Sequence, residues 1–180
     1  MGRATSLAKA FLVTHPETRM DKEGRIHGHL DPPLSDEGRY KAKRIAKSLK
    51  GKGITKIHSS PRQRAFETAQ HISKETGAPV EVHAELIPWK LGKMSGAKTK
   101  SIQPLLDYFS NHPDRPVPGG ESKNDVLKRY SKFMKSVKPG EAIVGHSQHS
   151  LAYDYSRHGG DAKKVPMVGG KAGEIREVQL

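Results

Sequence analysis

The sequence contains no cysteine, and this absence excludes several kinds of site at once. Without a thiol there can be no disulfide framework, no thiolate nucleophile and no zinc site with cysteine ligands. No apolar run approaches the roughly 20 residues that cross a bilayer, and the segment before Ala10 lacks the apolar core of a signal peptide. We therefore expect a cytoplasmic protein that does not bind membranes.

Aromatic side chains are also scarce, at 6% of the residues, whereas basic residues are abundant. The formal net charge of +13 creates a positive field that attracts anions such as phosphorylated metabolites or nucleic acid. Much of the excess lies in Arg39–Lys52, where an apolar stripe of Ile45, Ala46 and Leu49 predicts a helix whose cations face solvent. Because few aromatic rings are available to stack on bases, nucleic-acid binding is a minor hypothesis.

Short apolar runs alternate with amphipathic segments, which predicts an α/β fold. The length of 180 residues fits one domain over residues 1–180. Strands are predicted at Leu7–Val13, Ile54–His58, Val80–His83, Glu141–Gly145 and Glu174–Val178. Helices are predicted from the Ser35 cap to about Leu49, from Pro61 to the stop at Gly77, and over Ile102–Phe109, Glu121–Val137 and His149–Arg157. We expect a three-layer sandwich with a mainly parallel central sheet flanked by helices, and a long loop over Thr14–Leu34.

Three of the predicted strands are followed by polar residues suited to phosphoryl chemistry: His15, Arg64 and His146. In an open α/β sheet the ligand site lies beyond the carboxyl ends of the strands, so these side chains should meet there. A neutral imidazole can attack phosphorus, while a guanidinium and a second imidazole can hold the phosphoryl oxygens. The pattern therefore predicts a phosphoryl-binding site.

Five ordered motifs carry a family resemblance. They are LVTHPET at 12–18, GRIHG with DPPLS over 24–35, SSPRQRA with a later Thr-Ala over 59–69, PGGES at 118–122 and IVGHS at 143–147. The chain resembles the histidine phosphatase superfamily in its phosphoglycerate-mutase-like branch. The resemblance implies a phosphoglycerate-mutase-like fold. It also implies a cofactor-independent phosphatase that acts on a phosphomonoester, with a phosphorylated small molecule as its partner.

The resemblance also implies roles for individual residues. His15 is the nucleophile that becomes a phosphohistidine, Arg64 is a phosphate clamp and His146 is a second phosphate ligand. Further contacts with phosphate or substrate are predicted for Thr14, Asp21, Arg25, Ser147 and Trp89. For Trp89, the only tryptophan, the sequence leaves open whether it walls the pocket or packs beneath a loop.

Three positions depart from the family pattern. Thr14 stands where the family has a phosphate-binding arginine, and Asp21 stands at a usual asparagine, which puts a negative charge near the phosphate. Pro88 falls where many members carry the glutamate that protonates the leaving group, and proline cannot transfer a proton. The candidates for replacement acids or clamps are Glu17, Asp21, Glu85, Lys90 and Lys93.

Two other functions stay open on this sequence: a catalytically degraded phosphate-binding or protein-interaction module of the same fold, and an anion- or nucleic-acid-binding protein. A catalytic metal is not predicted, because His27 and His29 would point to opposite sides of an extended segment and no carboxylate pair supplies a third ligand. Specificity is expected to lie in residues 85–120 and 165–170. The sequence predicts neither the natural substrate nor the oligomeric state.

Overall fold

The computed structural model describes residues 8–166 and 171–180, and in these it contains one five-stranded sheet. The strands are β1 (Lys9–Thr14), β2 (Lys56–Ser59), β3 (Val80–Val82), β4 (Glu141–Gly145) and β5 (Ile175–Gln179). Their order across the sheet is β3-β2-β4-β1-β5. Neighbours are parallel except for β5, which runs antiparallel to β1. The predicted mainly parallel sheet is therefore confirmed.

Six α-helices lie in the same described residues. They are α1 (Arg19–Lys22), α2 (Asp36–Leu49), α3 (Gln63–Thr76), α4 (Thr99–Asn111), α5 (Lys123–Met134) and α6 (Gln148–Arg157), with short 3-10 turns at Ala84–Leu86, Gly92–Met94 and Ala162–Lys164. As predicted, the Ser35 hydroxyl caps α2 by accepting from the Gly38 amide at 3.0 Å. Among the helices of the described residues, none has the length and apolar character to cross a bilayer.

The sheet divides the hydrophobic core into two layers, because alternate side chains of a strand point to opposite faces. From β1, Ala10 and Leu12 join one cluster with apolar residues of α4, α5 and α6. Phe11 and Val13 join the other cluster, with apolar residues of α2 and α3. The predicted three-layer sandwich is confirmed. Because β1, β2 and β4 are parallel, their carboxyl ends lie on the same side of the sheet.

The observed elements differ from the predicted ones mainly at their ends and in the first loop. The segment predicted as one loop contains α1, which begins at a capping box between Thr18 and Asp21. A second capping box, between Ser122 and Asp125, starts α5 two residues later than predicted. The second helix was predicted to open at Pro61 but begins at Gln63. Leu7 and residues 167–170, which the predictions included, lie outside the described residues.

Candidate active site

The sheet brings together His15, Arg64 and His146, the three residues predicted to bind the phosphoryl group. β1 and β4 are neighbours, with Thr14 paired to Gly145, so the two histidines that follow them lie side by side. Their ring centroids are 5.2 Å apart. Arg64 comes from the first turn of α3 and reaches the His15 ring. All three side chains are buried.

Hydrogen bonds on both ring nitrogens fix the tautomer of His15. Its Nδ1 lies 2.7 Å from the Pro16 carbonyl oxygen and must donate to it, because a carbonyl can only accept. Its Nε2 accepts from Arg64 Nε at 3.2 Å, because a guanidinium can only donate. Burial, assisted by the Arg64 charge, lowers the pKa of His15 to about 3. The ring is therefore neutral, with its lone pair on Nε2.

Arg64 is 1% exposed and makes two contacts within the site. Besides the bond to His15, its Nη1 donates to the Leu30 carbonyl oxygen at 2.9 Å. The second terminal nitrogen, Nη2, has no acceptor in the part of the chain that the structure describes. Burial lowers the pKa of Arg64 to about 10, so the guanidinium stays charged at neutral pH. A buried cation with a spare donor is suited to a phosphoryl oxygen.

His146 has one partnered and one unpartnered nitrogen. Its Nε2 is 2.8 Å from the Ser60 hydroxyl, whereas its buried Nδ1 has no hydrogen-bond partner within the described residues. When the hydroxyl donates to Nε2, the ring carries its proton on Nδ1 as a free donor. Burial and the Arg64 charge hold the pKa of His146 well below its usual value, so this ring is also neutral. The sequence predicts no role for Ser60, although this residue belongs to the SSPRQRA motif at 59–65.

The three residues open onto a cavity of about 200 Å³. Its lining includes every other residue predicted to contact phosphate or substrate: Thr14, Asp21, Arg25, Ser147 and Trp89. The guanidinium of Arg25 is held by the Gly96 carbonyl and by Glu23, at 2.9 and 3.1 Å. Trp89 both walls the cavity and packs in the core, with Nε1 donating to the Glu121 carbonyl at 3.0 Å.

Asp21 and His27 form a pair on the outer wall of the cavity. Asp21 Oδ2 accepts from the Thr18 amide and hydroxyl, both at 2.8 Å, and lies 3.5 Å from His27 Nε2. Because the hydroxyl donates to Asp21, His27 Nε2 must donate to the hydroxyl oxygen, 2.8 Å away. Burial opposes ionisation, but hydrogen bonds from His27 and Thr18 outweigh it and lower the pKa of Asp21 to about 2. The carboxylate is thus ionised.

The comparisons with known proteins give the family. The model of the histidine phosphatase superfamily (branch 1) matches residues 10–150. The chain belongs to this superfamily. It is 38% identical over 173 residues to phosphoglycerate mutase-like protein 4 of Arabidopsis thaliana, a match covering 89% of this chain and 75% of that protein. It is 30% identical over 137 residues to phosphoserine phosphatase 1 of Hydrogenobacter thermophilus, covering 73% and 65% of the two chains.

Solved structures show the same fold. The mycobacterial glucosyl-3-phosphoglycerate phosphatase superposes with a TM-score of 0.83 at 22% identity, over 94% of this chain and 89% of that one. A Thermus thermophilus protein superposes with a TM-score of 0.77 at 24% identity, over 94% and 92% of the two chains. At these identities the superpositions are evidence for the fold alone. The predicted family and fold are both confirmed.

On the outer wall of the cavity, this chain differs from the family pattern. Pro88 lines the cavity with a side chain that has no proton to give, and its carbonyl lies 2.8 Å from His29 Nε2. His27, for which the sequence predicts no metal site with His29, contacts Thr18 and Asp21. The other candidate replacements, Glu17, Glu85, Lys90 and Lys93, do not belong to the described lining. The signal missed was the joint departure at Asp21 and His27. Asp21 stands at the usual asparagine, and His27 in the GRIHG motif at 24–28 stands where the family pattern has glutamine.

Proposed function

We propose that this chain, as a single domain over residues 1–180, is a phosphomonoesterase that works through a phosphohistidine on His15. The observation that carries the proposal is the state of the His15 ring: neutral, with its Nε2 lone pair 3.2 Å from the Arg64 guanidinium. An imidazole in this state is a nucleophile, and the adjacent cation can hold the phosphoryl group for attack. The relative named as a phosphoserine phosphatase supports this reaction class.

The reaction then has two steps. His15 Nε2 attacks phosphorus, the bond to the ester oxygen breaks and the leaving oxygen takes a proton. Water then attacks the phosphohistidine, releases inorganic phosphate and restores the neutral ring. Arg64 and the free Nδ1 donor of His146 bind the equatorial oxygens in both steps. The amino end of α6, at Ser147 and Gln148 on the cavity lining, adds the positive end of a helix dipole.

The leaving oxygen takes its proton from His27 in this proposal. Proline at position 88 cannot donate, and Asp21 is ionised with a pKa of about 2. The His27 ring lines the cavity with its centroid 5.6 Å from that of His15. Thr18 and Asp21 hold its Nε2, so that Nδ1 of the imidazolium can give a proton to the ester oxygen. In the second step the same nitrogen takes a proton from the attacking water.

The cavity favours a small phosphorylated metabolite as substrate. A cavity of about 200 Å³ accommodates a phosphoryl group with a short carbon skeleton. Arg64 and Arg25 line it beside the apolar surfaces of Ile26, Trp89 and Leu91. The net charge of +13 would draw an anionic ester toward this opening.

A second candidate function is phosphate binding without turnover, and the replacement of arginine by Thr14 favours it. The guanidinium expected at that position would add a charge-assisted hydrogen bond to the phosphoryl group, worth about 1.5–3 kcal/mol. Without it the protein could retain an anion at Arg64 and His146 while attack is slow. This candidate predicts that inorganic phosphate raises the melting temperature of a protein that never forms a covalent adduct.

The deciding experiment is to trap the adduct with a substrate carrying labelled phosphate. We expect acid-labile, alkali-stable label on His15, none on a His15→Asn variant, and undiminished labelling of His112→Asn, a control at an exposed histidine outside the cavity lining. Label on a serine, or label that survives in His15→Asn, would sink the covalent mechanism. Absence of both label and turnover in a protein that phosphate stabilises would select the second candidate.

A further inference from the structure

A second cluster of histidines lies on the sheet, outside the catalytic cavity. His58 belongs to β2, Glu81 to the edge strand β3, and His83 follows β3 directly. His58 and Glu81 are partners in the parallel ladder, and Glu81 and His83 are two residues apart, so all three side chains project from one face. None of them is among the described residues that line the cavity. The proposed catalytic mechanism does not use them.

The potential ligand atoms of these three residues converge. His58 Nδ1 lies 2.9 Å from His83 Nε2, and Glu81 Oε1 lies 3.5 Å from the same His83 nitrogen. All three atoms are within 4.8 Å of one another. Phe133 of α5 packs against both imidazoles, with ring centroids at 5.4 and 4.8 Å, which restricts their orientation. Two nitrogens and one carboxylate oxygen in this arrangement make up three of the four ligands of a tetrahedral site.

A buried carboxylate sets the tautomer of His58. Glu141 Oε2 lies 2.8 Å from His58 Nε2 and also accepts from the Lys138 amide at 2.9 Å. As an ionised acceptor it requires a proton on His58 Nε2, so that in the neutral ring the lone pair is on Nδ1, toward His83. Histidines that bind metals commonly donate their other ring nitrogen to a carboxylate in this way. His58 and His83 could form a hydrogen bond with each other without a carboxylate at the other nitrogen of His58. The contact with Glu141 is therefore an additional feature that matches a metal-binding histidine.

We propose that His58, His83 and Glu81 bind a divalent transition-metal ion, with Zn²⁺ the best match and water as the fourth ligand. Imidazole nitrogens with one carboxylate suit zinc, copper and nickel rather than calcium or magnesium. Tetrahedral Zn–N bonds of about 2.0–2.1 Å separate two ligand nitrogens by about 3.3 Å. The two rings therefore move apart by a few tenths of an ångström from 2.9 Å, and the His83 proton moves from Nε2 to Nδ1 or to solvent.

The ion would fasten the edge strand to the body of the sheet. β3 is three residues long and lies at the end of the strand order, next to β2. A metal bound by His58 from β2 and by Glu81 and His83 from β3 joins the two strands through side chains as well as through the backbone. Binding to the folded chain alone adds stability that grows with the concentration of the free ion.

Lys56 provides a way to test the site without removing a ligand. Its ammonium pairs with Glu81 Oε2, the carboxylate oxygen that does not face His83. It therefore places a positive charge beside the proposed ion and competes for the same carboxylate. Lys56→Gln removes this charge and keeps the three ligands. We expect this variant to bind the metal more tightly than the unchanged protein.

The experiment is calorimetric titration of ZnCl₂ into tag-free, EDTA-stripped protein, with Co²⁺ absorption to report tetrahedral geometry. We expect one equivalent, a raised melting temperature, loss of binding in His83→Ala and in Glu81→Gln, and about 10- to 100-fold weaker binding in Glu141→Gln. His15→Asn and His112→Asn should bind like the unchanged protein. Glu81 is half-exposed, so its variant should fold, which circular dichroism verifies. Binding that persists in both His83→Ala and Glu81→Gln, or that disappears in His15→Asn, would overturn the proposal.

Discussion

The deep end of the cavity and its outer wall are built in different ways. At the deep end, His15 and His146 follow adjacent parallel strands, so the sheet itself sets their separation. On the outer wall, His27 and Pro88 come from connecting segments, and their positions depend on turns and side-chain contacts. The positions of the proposed phosphoryl ligands are therefore tied to the fold, whereas the proposed source of the leaving-group proton can change while the fold stays the same. The departures at Asp21 and Pro88 both lie on this outer wall.

The largest effect should come from replacing the proposed proton donor. His27→Gln keeps a hydrogen-bonding side chain and introduces the residue of the family pattern, but it removes the acid. For an alkyl phosphate, whose leaving group needs a proton, we expect turnover to fall by about 100- to 10,000-fold. For an activated aryl phosphate, turnover should change little. Steady-state kinetics on one ester of each class measure the difference.

A second substitution can restore the proton donor that His27→Gln removes. Pro88→Glu in the His27→Gln protein places a carboxyl group where many family members carry their acid, and alkyl phosphate turnover should recover. His71→Gln, which changes a histidine of α3 outside the described cavity lining, is the matched control and should leave both esters unaffected. Equal losses on the two esters in His27→Gln would mean that His27 binds the phosphate rather than protonating the leaving group.

An intermediate effect is expected at the deep end, where one charge is missing. Thr14 ends β1, is 6% exposed and lines the cavity. Thr14→Arg adds a charge-assisted donor, which should raise turnover by about 10- to 150-fold if the contact strengthens in the transition state. The gain should be similar for alkyl and aryl esters, in contrast to the selective effect at His27.

Thr14→Met controls for the added length without the charge, and melting temperatures show whether each variant is folded. A gain in both variants would assign the effect to packing. If Thr14→Arg gives no gain and the unchanged protein already turns over fast, other residues have replaced the missing arginine.

The same contrast explains what the sequence could and could not predict. The strands and most helices follow from local periodicity and caps, and His15, Arg64 and His146 follow from strand ends in a parallel sheet. The pairing of Asp21 with His27 depends on α1, a single helical turn inside a segment rich in glycine and charge. The cluster around His58 depends on strand register, since its carboxylate partner Glu141 is 83 residues away in the chain. Neither contact can be predicted from the pattern of neighbouring residues in the sequence.

The smallest effect should be on stability, at the one carboxylate of the described cavity lining. Hydrogen bonds from His27 and Thr18 outweigh the effect of burial and lower the pKa of Asp21 from 3.8 to about 2, so the folded state favours the ionised form. A carboxyl group with a depressed folded-state pKa stabilises the protein above its unfolded pKa, and the contribution is lost as the pH falls through the folded value. Here the window runs from about pH 4 down to about pH 2.

Asp21→Asn tests this directly, because the amide has the shape of the carboxylate but does not ionise. After allowance for solvent screening at this partly buried site, we expect the variant to lose about 1 kcal/mol of unfolding free energy at pH 7. The deficit should be the same at pH 5 and should shrink between pH 4 and pH 2, as measured by urea unfolding of both proteins at each pH. A deficit that stays constant down to pH 2 would assign the loss to altered hydrogen bonding of Thr18 and His27. The charge on the outer wall would then contribute nothing to folding.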